Sequence, residues 1–462
     1  MSGSETRLRD DFEACFGGLA AIGQDPAGGW TRLAWTEEDR AARSWFKSQA
    51  TARGLTVDQD PAGNLWAWWT GSAGRSGETG LAGGSGETGS AGGVGTTEGS
   101  SPAGRLRSPT GGVDPEPGRF GMGPDRVVAV GSHLDTVRRG GAYDGALGVV
   151  SGLVAVGELA ARGVEPQRPV AVVAFADEEG GRFGVPTFGS RVLTGALDPD
   201  DMLGRADQDG VTVAEAMAAA GVDPAGLGPD PARVGRLGAF VELHVEQGRG
   251  LADLGQPVAL GTGIWTHGRW RLTLSGEANH AGTTRLPDRR DPMLGLAAAV
   301  LAARAAATEL EAVATVGRVA VEPNSSNSVP GRVSAWLDAR AERDQTLDWL
   351  VAAFEAAVEE AAGRNRLEAD LTCESRSPGV ELDRDLSARL DTCLRANGLE
   401  PPALPTAAGH DAASLAAAVP TAMLFVRNPT GTSHSPSETA DLADCLTGVQ
   451  ALAAVIEDLA CR

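Results

Sequence analysis

Six histidines occur in this chain of 462 residues, and five of them stand in short polar motifs beside Gly, Asp, Glu, Asn or Ser. The richest stretch is Gly131-Ser-His-Leu-Asp-Thr-Val, followed closely by Gly141-Ala-Tyr-Asp-Gly145. It brings His133, Asp135 and Asp144 close together in sequence, and imidazole with carboxylate suits a divalent metal. A surface loop holding one His and two Asp would read the same way, so other segments must supply further ligands, a base and a substrate clamp. Val173-Ala-Phe-Ala-Asp-Glu-Glu-Gly-Gly181 ends an apolar run in three acids, Asp177, Glu178 and Glu179. On an extended backbone neighbouring side chains point opposite ways, so one Glu can ligate while the other faces a substrate as a base. Glu242-Leu-His-Val-Glu-Gln-Gly248 places Glu242, His244 and Glu246 on one face of a strand by alternation. Thr432-Ser-His-Ser-Pro-Ser-Glu438 again follows an apolar run, Met423 to Val426.

These motifs need a scaffold, and the hydrophobic pattern supplies one. Strands are expected at Val127–Val130, Val170–Ala176, Ala239–Glu246 and Thr421–Val426, and helices at Leu147–Ala161, Thr187–Thr194, Val211–Ala220, Asp383–Asn397, His410–Ala418 and Thr439–Leu459. Nearly pure aliphatic strands between helices predict an α/β sheet covered on both faces, and such sheets gather their sites at the carboxyl ends of the strands. Upstream, residues 5–22 carry apolar positions at helical spacing. Thr36-Glu-Glu-Asp39 opens a helix that runs to Arg53 with Gly54 as its stop, and Leu55–Asp58 and Asn64–Trp69 form a hairpin. Residues 71–124 are rich in Gly, Ser, Thr and Glu, with Ser76-Gly-Glu-Thr-Gly80 repeated at Ser85-Gly-Glu-Thr-Gly89. Such a segment buries too little apolar surface to offset its ordering entropy, and is expected to be a disordered low-complexity insertion.

Between Gly263 and Glu374 the rhythm changes to strand Arg269–Leu274, helix Pro292–Ala306, strands Thr315–Val321 and Arg332–Asp338, helix Gln345–Ala362 and strand Glu368–Cys373. That order is ferredoxin-like. The expected organisation is a metal-binding catalytic domain in two parts, 1–262 and 375–462, with an inserted domain at 263–374.

Composition narrows the function. The net charge of -21 argues against nucleic-acid and anionic-membrane partners. No stretch has the apolar length of a membrane span, and the charged N-terminal residues lack a signal-peptide core. Five scattered cysteines without CxxC spacing read as reduced thiols of a cytoplasmic protein.

The motifs together resemble those of the binuclear-metal amidohydrolases of the aminoacylase and carboxypeptidase superfamily. Within it they resemble the branch containing allantoate amidohydrolases and N-carbamoyl-L-amino-acid hydrolases. Besides the four motifs above, the resemblance rests on His280-Ala-Gly-Thr-Thr and Gly409-His-Asp-Ala, in order along nearly the whole chain outside 71–124. Peptidase relatives usually have an acid in place of His244. The resemblance implies a metallopeptidase-like mixed sheet flanked by helices, with the ferredoxin-like α+β insertion as lid and dimerisation domain. It implies His133, Asp144, Glu179, His244 and His434 as ligands of two divalent ions (Mn or Zn, with Co or Ni as alternatives), Asp144 bridging them. Glu178 is then the general base and Asp135 the residue that orients His133, while His410 and Asp411 lie near the site without ligating. His280 would reach the partner subunit's active site in a homodimer and stabilise the oxyanion; Asn327, Arg340, Gln247 and Gly409 would contact the substrate. Arg285 and Leu286 depart from the Pro and Met common in relatives.

The implied reaction is hydrolysis of the ureido (N-carbamoyl) group of a small carboxylate. Met423-Leu-Phe-Val-Arg427 and Ser433-His-Ser-Pro look closest to allantoate amidohydrolases, with Arg427 expected on a second ureido group or the carboxylate. An N-carbamoyl-L-amino-acid hydrolase, a metallo-dipeptidase and a non-catalytic metal-binding scaffold are the alternatives.

Overall fold

The computed structural model describes residues 3–71, 123 and 125–462. The expected low-complexity insertion at 71–124 therefore lies almost wholly outside the described residues. A nine-stranded mixed sheet runs in the order Thr56–Gln59, Leu65–Trp69, Val170–Phe175, Val127–His133, Leu237–Val245, Thr421–Val426, Val258–Ile264, Val380–Glu381, with Ala403–Thr406 also pairing Val258–Ile264. Its four middle strands, from Val170–Phe175 to Thr421–Val426, are mutually parallel. They are fully buried along their length, as their largely aliphatic and aromatic sequences require. Each buried Val or Leu side chain contributes roughly 1.5–3 kcal/mol.

Helices cover both faces. Gly3–Ala20, Glu37–Ala52, Ala146–Ala161, Arg384–Ala396 and Leu442–Ala460 pack their apolar stripes on one side, through Phe12, Phe46, Leu153, Leu390 and Leu452. The shorter Phe188–Thr194 and Asp411–Ala416 pack on the other, through Leu193 and Leu415. Thr36 caps the second helix by accepting from Asp39 N–H, while the Asp39 carboxylate reaches back to Trp35 N–H at 2.9 Å.

A second, four-stranded antiparallel sheet has the order Glu368–Ser377, Thr266–Ser275, Arg332–Ala341, Val313–Glu322. Helices Pro292–Glu309 and Asp344–Asn365 close one face of it around Leu272, Leu296, Leu337 and Phe354. Strand, helix, two strands, helix and strand in that arrangement are the ferredoxin-like pattern read from the sequence.

Three strands of the nine-stranded sheet escape the periodicity argument. Val258–Ile264 carries two glycines in seven residues, Ala403–Thr406 contains Pro405, and Val380–Glu381 is two residues long. Two local expectations also change. Asp177, Glu178 and Glu179 are not on an extended backbone: the strand ends at Phe175, and Asp177 turns with φ +52°. Glu246 does not share the face of His244, because its strand ends at Val245 and its carboxylate accepts from Gly250 and Leu251 N–H at 2.6 and 2.8 Å.

Candidate metal centre

Because the four middle strands are parallel, their C-terminal ends meet along one edge. His133 ends the first in sequence, and Glu178 and Glu179 follow the second. His244 lies near the end of the third, and His434 sits in the loop after the fourth. Asp144 lies just ahead of helix Ala146–Ala161, where a carboxylate is also favoured by the helix N-terminus. Gly145 between them has φ +63°, and a Cβ there would stand 2.4 Å from the His133 ring, so only glycine lets ring and helix start approach this closely.

Asp144 is the centre of the arrangement. Its Oδ1 lies 3.2 Å from His244 Nε2 and 3.8 Å from His133 Nε2. Its Oδ2 lies 3.3 Å from His434 Nε2, which is itself 3.4 Å from Glu179 Oε2. Two sets of possible ligands result, His133–Asp144–His244 and Asp144–Glu179–His434, each with its ligand atoms within 4.8 Å of one another. They share the one aspartate.

The donor chemistry fits metal ions. His133 Nδ1 lies 3.0 Å from Asp135 O, and His244 Nδ1 lies 2.8 Å from Val245 O. Each carbonyl accepts a hydrogen bond from Nδ1–H and so turns Nε2 toward Asp144, the nitrogen that would face an ion once it has given up any proton it carries. The charge balance points the same way. Glu178 and Glu179 are buried, and burial together with neighbouring carboxylates raises both well above the usual carboxylate range. Burial would raise Asp144 too, but hydrogen bonds from His244 and His434 outweigh it and hold Asp144 well below its usual value. His244, lowered by burial but more strongly raised by Asp144, is lifted to about 9, whereas burial pushes His133 down to about 4. So many carboxylates around so few cations make a natural seat for divalent charge. Glu242, His244 and His410 form a third close group, but both Glu242 oxygens are already engaged, by Ser132 Oγ at 2.7 Å and Ala412 N–H at 2.8 Å.

Around the ligands the structure adds supports. Asp135 meets the His133 ring through its backbone carbonyl, with its carboxylate standing 3.6 Å away. That carboxylate accepts from Glu178 and Glu179 N–H at 3.2 and 3.1 Å. Gln247 donates to Asp144 Oδ2 at 3.1 Å and to Ser433 Oγ at 2.9 Å. His410 packs edge-on against the His244 ring at 4.4 Å. Asp411 accepts from Ser190 Oγ at 2.5 Å, anchoring helix Phe188–Thr194, whose leading N–H groups bind Asp177 O and Glu178 O. Glu178 Oε2 stands 3.7 Å from His133 Nε2, beside the ligands where a base is needed.

Of the residues expected on the substrate, Gln247 thus lies at the metal site, bound to Asp144, and the others stand apart from it. His280 pairs with Ser328 in a short exposed ribbon, and Asn327 adjoins it, its backbone O accepting from Ala281 N–H. No hydrogen bond or ion pair among the described residues joins either to the metal-site side chains. His280 Nδ1 accepts from Gly282 and Thr283 N–H at 3.0 and 3.2 Å, which leaves Nε2 as the donor of the neutral ring. Arg340 binds Asp338 Oδ1 at 2.9 Å and bridges to the other sheet by donating to Ala407 O at 2.8 Å, near exposed Gly409. Arg427 is not free for a substrate: it makes a two-pronged ion pair with Asp444 at 2.7 and 3.1 Å.

Sequence reasoning missed the roles of Glu242 and Glu438. Glu242 was read as a strand-face acid, and Glu438 was quoted only as the end of a motif. Glu438 accepts from Tyr143 and Asp144 N–H across nearly three hundred residues of chain, and no local spacing signals such a contact.

The profile of Peptidase family M20/M25/M40 matches residues 129–458. An N-carbamoyl-L-amino acid amidohydrolase of Geobacillus stearothermophilus is 34% identical, with 96% of each chain covered. The allantoate amidohydrolase of Escherichia coli (strain K12) is 31% identical over 98% of this chain and 99% of its own. The crystal structure of an amidase of the hydantoinase/carbamoylase family from Burkholderia multivorans is 29% identical, with TM-score 0.78 over 99% of this chain and 98% of that one. By the extent of these matches and the fold that carries them, the chain belongs to peptidase family M20/M25/M40.

Proposed function

We propose that the protein hydrolyses the ureido C–N bond of a small N-carbamoyl carboxylate, using Glu178 as base beside two divalent ions held by His133, Asp144, Glu179, His244 and His434. The observation that carries this reading is the pair of ligand sets sharing Asp144, with Glu178 against one of them. The relatives named above are amidohydrolases, and the chain is a hydrolase of linear C–N bonds other than peptide bonds.

When bound, the two ions would polarise the ureido carbonyl and lower the pKa of the attacking water. Glu178 takes a proton from that water and delivers it to the departing nitrogen, leaving the amine and a carbamate that decays to carbon dioxide and ammonia. His280, with Nε2–H as donor, stabilises the oxyanion of the tetrahedral intermediate. Arg340, with Asn327, Gln247 and Gly409, holds the substrate; the guanidinium fork suits its carboxylate.

Exposed His280, remote from the metal-site side chains of its own chain, supports a homodimer in which each chain completes its partner's site. Exposed Leu286 and Leu301 of the same insertion supply apolar surface for the contact. No described helix is long and apolar enough to cross a membrane, and with five free cysteines a cytoplasmic location is the reading adopted.

The likeness of Met423–Arg427 and Ser433–Pro436 to allantoate amidohydrolases supports allantoate, but Arg427, paired with Asp444, supplies no substrate contact to add to it. The proposal is therefore made for the N-carbamoyl group, with allantoate and N-carbamoyl-L-amino acids as the two substrates. Rates on allantoate, N-carbamoyl-L-methionine and a dipeptide, measured with each metal returned to chelated protein, test it. Turnover of a ureido acid with the dipeptide untouched is expected; cleavage of the dipeptide alone would refute the proposal.

A further inference from the structure

The acid that ends the Thr432–Glu438 motif has no part in the chemistry above. Glu438 is buried, and each of its oxygens is occupied. Oε1 accepts from Tyr143 N–H at 3.1 Å and Asp144 N–H at 3.0 Å, and Oε2 accepts from Ser433 Oγ at 3.0 Å. Ser433 in turn accepts from Gln247, which also binds Asp144 Oδ2. A closed ring of hydrogen bonds thus runs from the bridging aspartate through Gln247 and Ser433 to Glu438 and back to the Asp144 backbone. Its packing is tight: a Cβ at Gly141 would lie 2.0 Å from Glu438 Oε1.

The ring acts unequally on the two metal positions. His133 and His244 stand on strands and have their Nδ1 atoms fixed by backbone carbonyls. His434 sits in a loop at φ +52° with its side chain 52% exposed. Its neighbour Ser433 is tied to Glu438, and the preceding turn is held by Asn428, which donates to Thr432 O at 2.8 Å. The Asp144 backbone has the start of helix Ala146–Ala161 to hold it, whereas the His434 loop has no such element. We propose that Glu438 is a positioning residue for the metal position framed by Asp144, Glu179 and His434, and that occupancy of this position depends on it while occupancy of the His133–Asp144–His244 position does not. The assignment rests on the two-ion reading above.

Losing a partner that orients a metal ligand costs about 10- to 100-fold in metal affinity. The test is a calorimetric titration of chelated protein with zinc, paired with metal content after dialysis, on the full chain. Wild type is expected to take two ions. Glu438→Ala is expected to keep one with unchanged affinity and to bind the second about 10- to 100-fold more weakly. Gly141→Ala, which displaces the carboxylate while leaving it in the chain, is expected to copy that loss, and Ser433→Ala to show a smaller one. Glu438→Gln, whose remaining carbonyl oxygen still accepts the two backbone N–H groups, is expected to recover part of the affinity. If the alanine variant fails to fold by circular dichroism, Glu438→Gln and Ser433→Ala carry the test. Two ions bound at wild-type affinity by the variants, or both lost equally, would overturn the assignment. A wild type that takes only one ion would instead overturn the two-ion reading itself.

Discussion

The nine-stranded sheet and the four-stranded sheet treat their polar residues in opposite ways. At the edge of the first, four potential ligands and a base are buried together with half-exposed His434 beside them, and two of the imidazoles are held through Nδ1. On the second, Arg340 rests on Asp338 and Ala407, and His280 and Asn327 are exposed at a separate two-stranded ribbon of the same insertion. The contrast teaches a division of labour. The proposed ligands and base are preassembled, because misplacing a buried charge is costly and parallel strand ends make a rigid frame. The residues proposed on the substrate, Gln247 excepted, stand apart from that frame, which would leave selectivity to a surface that can adjust.

If the division holds, disturbing the first region abolishes chemistry and disturbing the second weakens binding. The largest effect is expected from chelation: turnover should fall to background and return with added manganese or zinc, as followed by ammonia release. Activity that survived complete metal removal would break the comparison at its root. Glu178→Gln comes next, with kcat reduced by about 10²- to 10⁴-fold while metal content stays at the wild-type level. Arg340→Lys should act on the other side, raising KM by about 10- to 100-fold through loss of the two-pronged contact, with metal content unchanged.

The smallest effect concerns the metal-free protein. His244 is held up to about 9 in the fold, by Asp144 against burial, and titrates near 6.5 when unfolded. Its stabilisation is therefore complete below about pH 6.5 and lost as pH rises through about 9. His133 is pushed down to about 4 by burial, so the unfolded chain binds its proton first and stability falls as pH drops from about 6.5 toward 4. Asp144, held low by His244 and His434 against burial, adds to the acid-side loss. Scanning calorimetry of chelated protein should show Tm declining as pH rises from about 6.5 through about 9, the range in which His244 loses its proton in the fold. Loading with metal should remove the alkaline decline, since bound imidazoles stay neutral. An unchanged alkaline limb after loading would mean that His244 is not a ligand.

Much of this was legible beforehand, for definite reasons. Aliphatic runs such as Val170–Phe175 announce buried strands, and the polar motifs directly after them mark the edge where a site must form. The ferredoxin-like unit was legible because each of its main elements is long enough to show its period. Glycine and proline hid Val258–Ile264 and Ala403–Thr406, whose strand character comes from pairing with neighbours. The turn at Asp177 was hidden because alternation predicts only regular backbone. Arg427 and Glu438 could not be read because their partners, Asp444 and the backbone of Tyr143 and Asp144, are chosen by the tertiary fold. Charge and motif alone therefore assigned Arg427 to the wrong partner and left Glu438 without a role.

The central claim is that Asp144 separates and joins two metal positions. Anomalous diffraction from crystals grown with zinc tests it most directly. Two peaks are expected, one among Asp144, His133 and His244 and the other among Asp144, Glu179 and His434. A single peak, or a peak bound through Glu242 and His410, would contradict it.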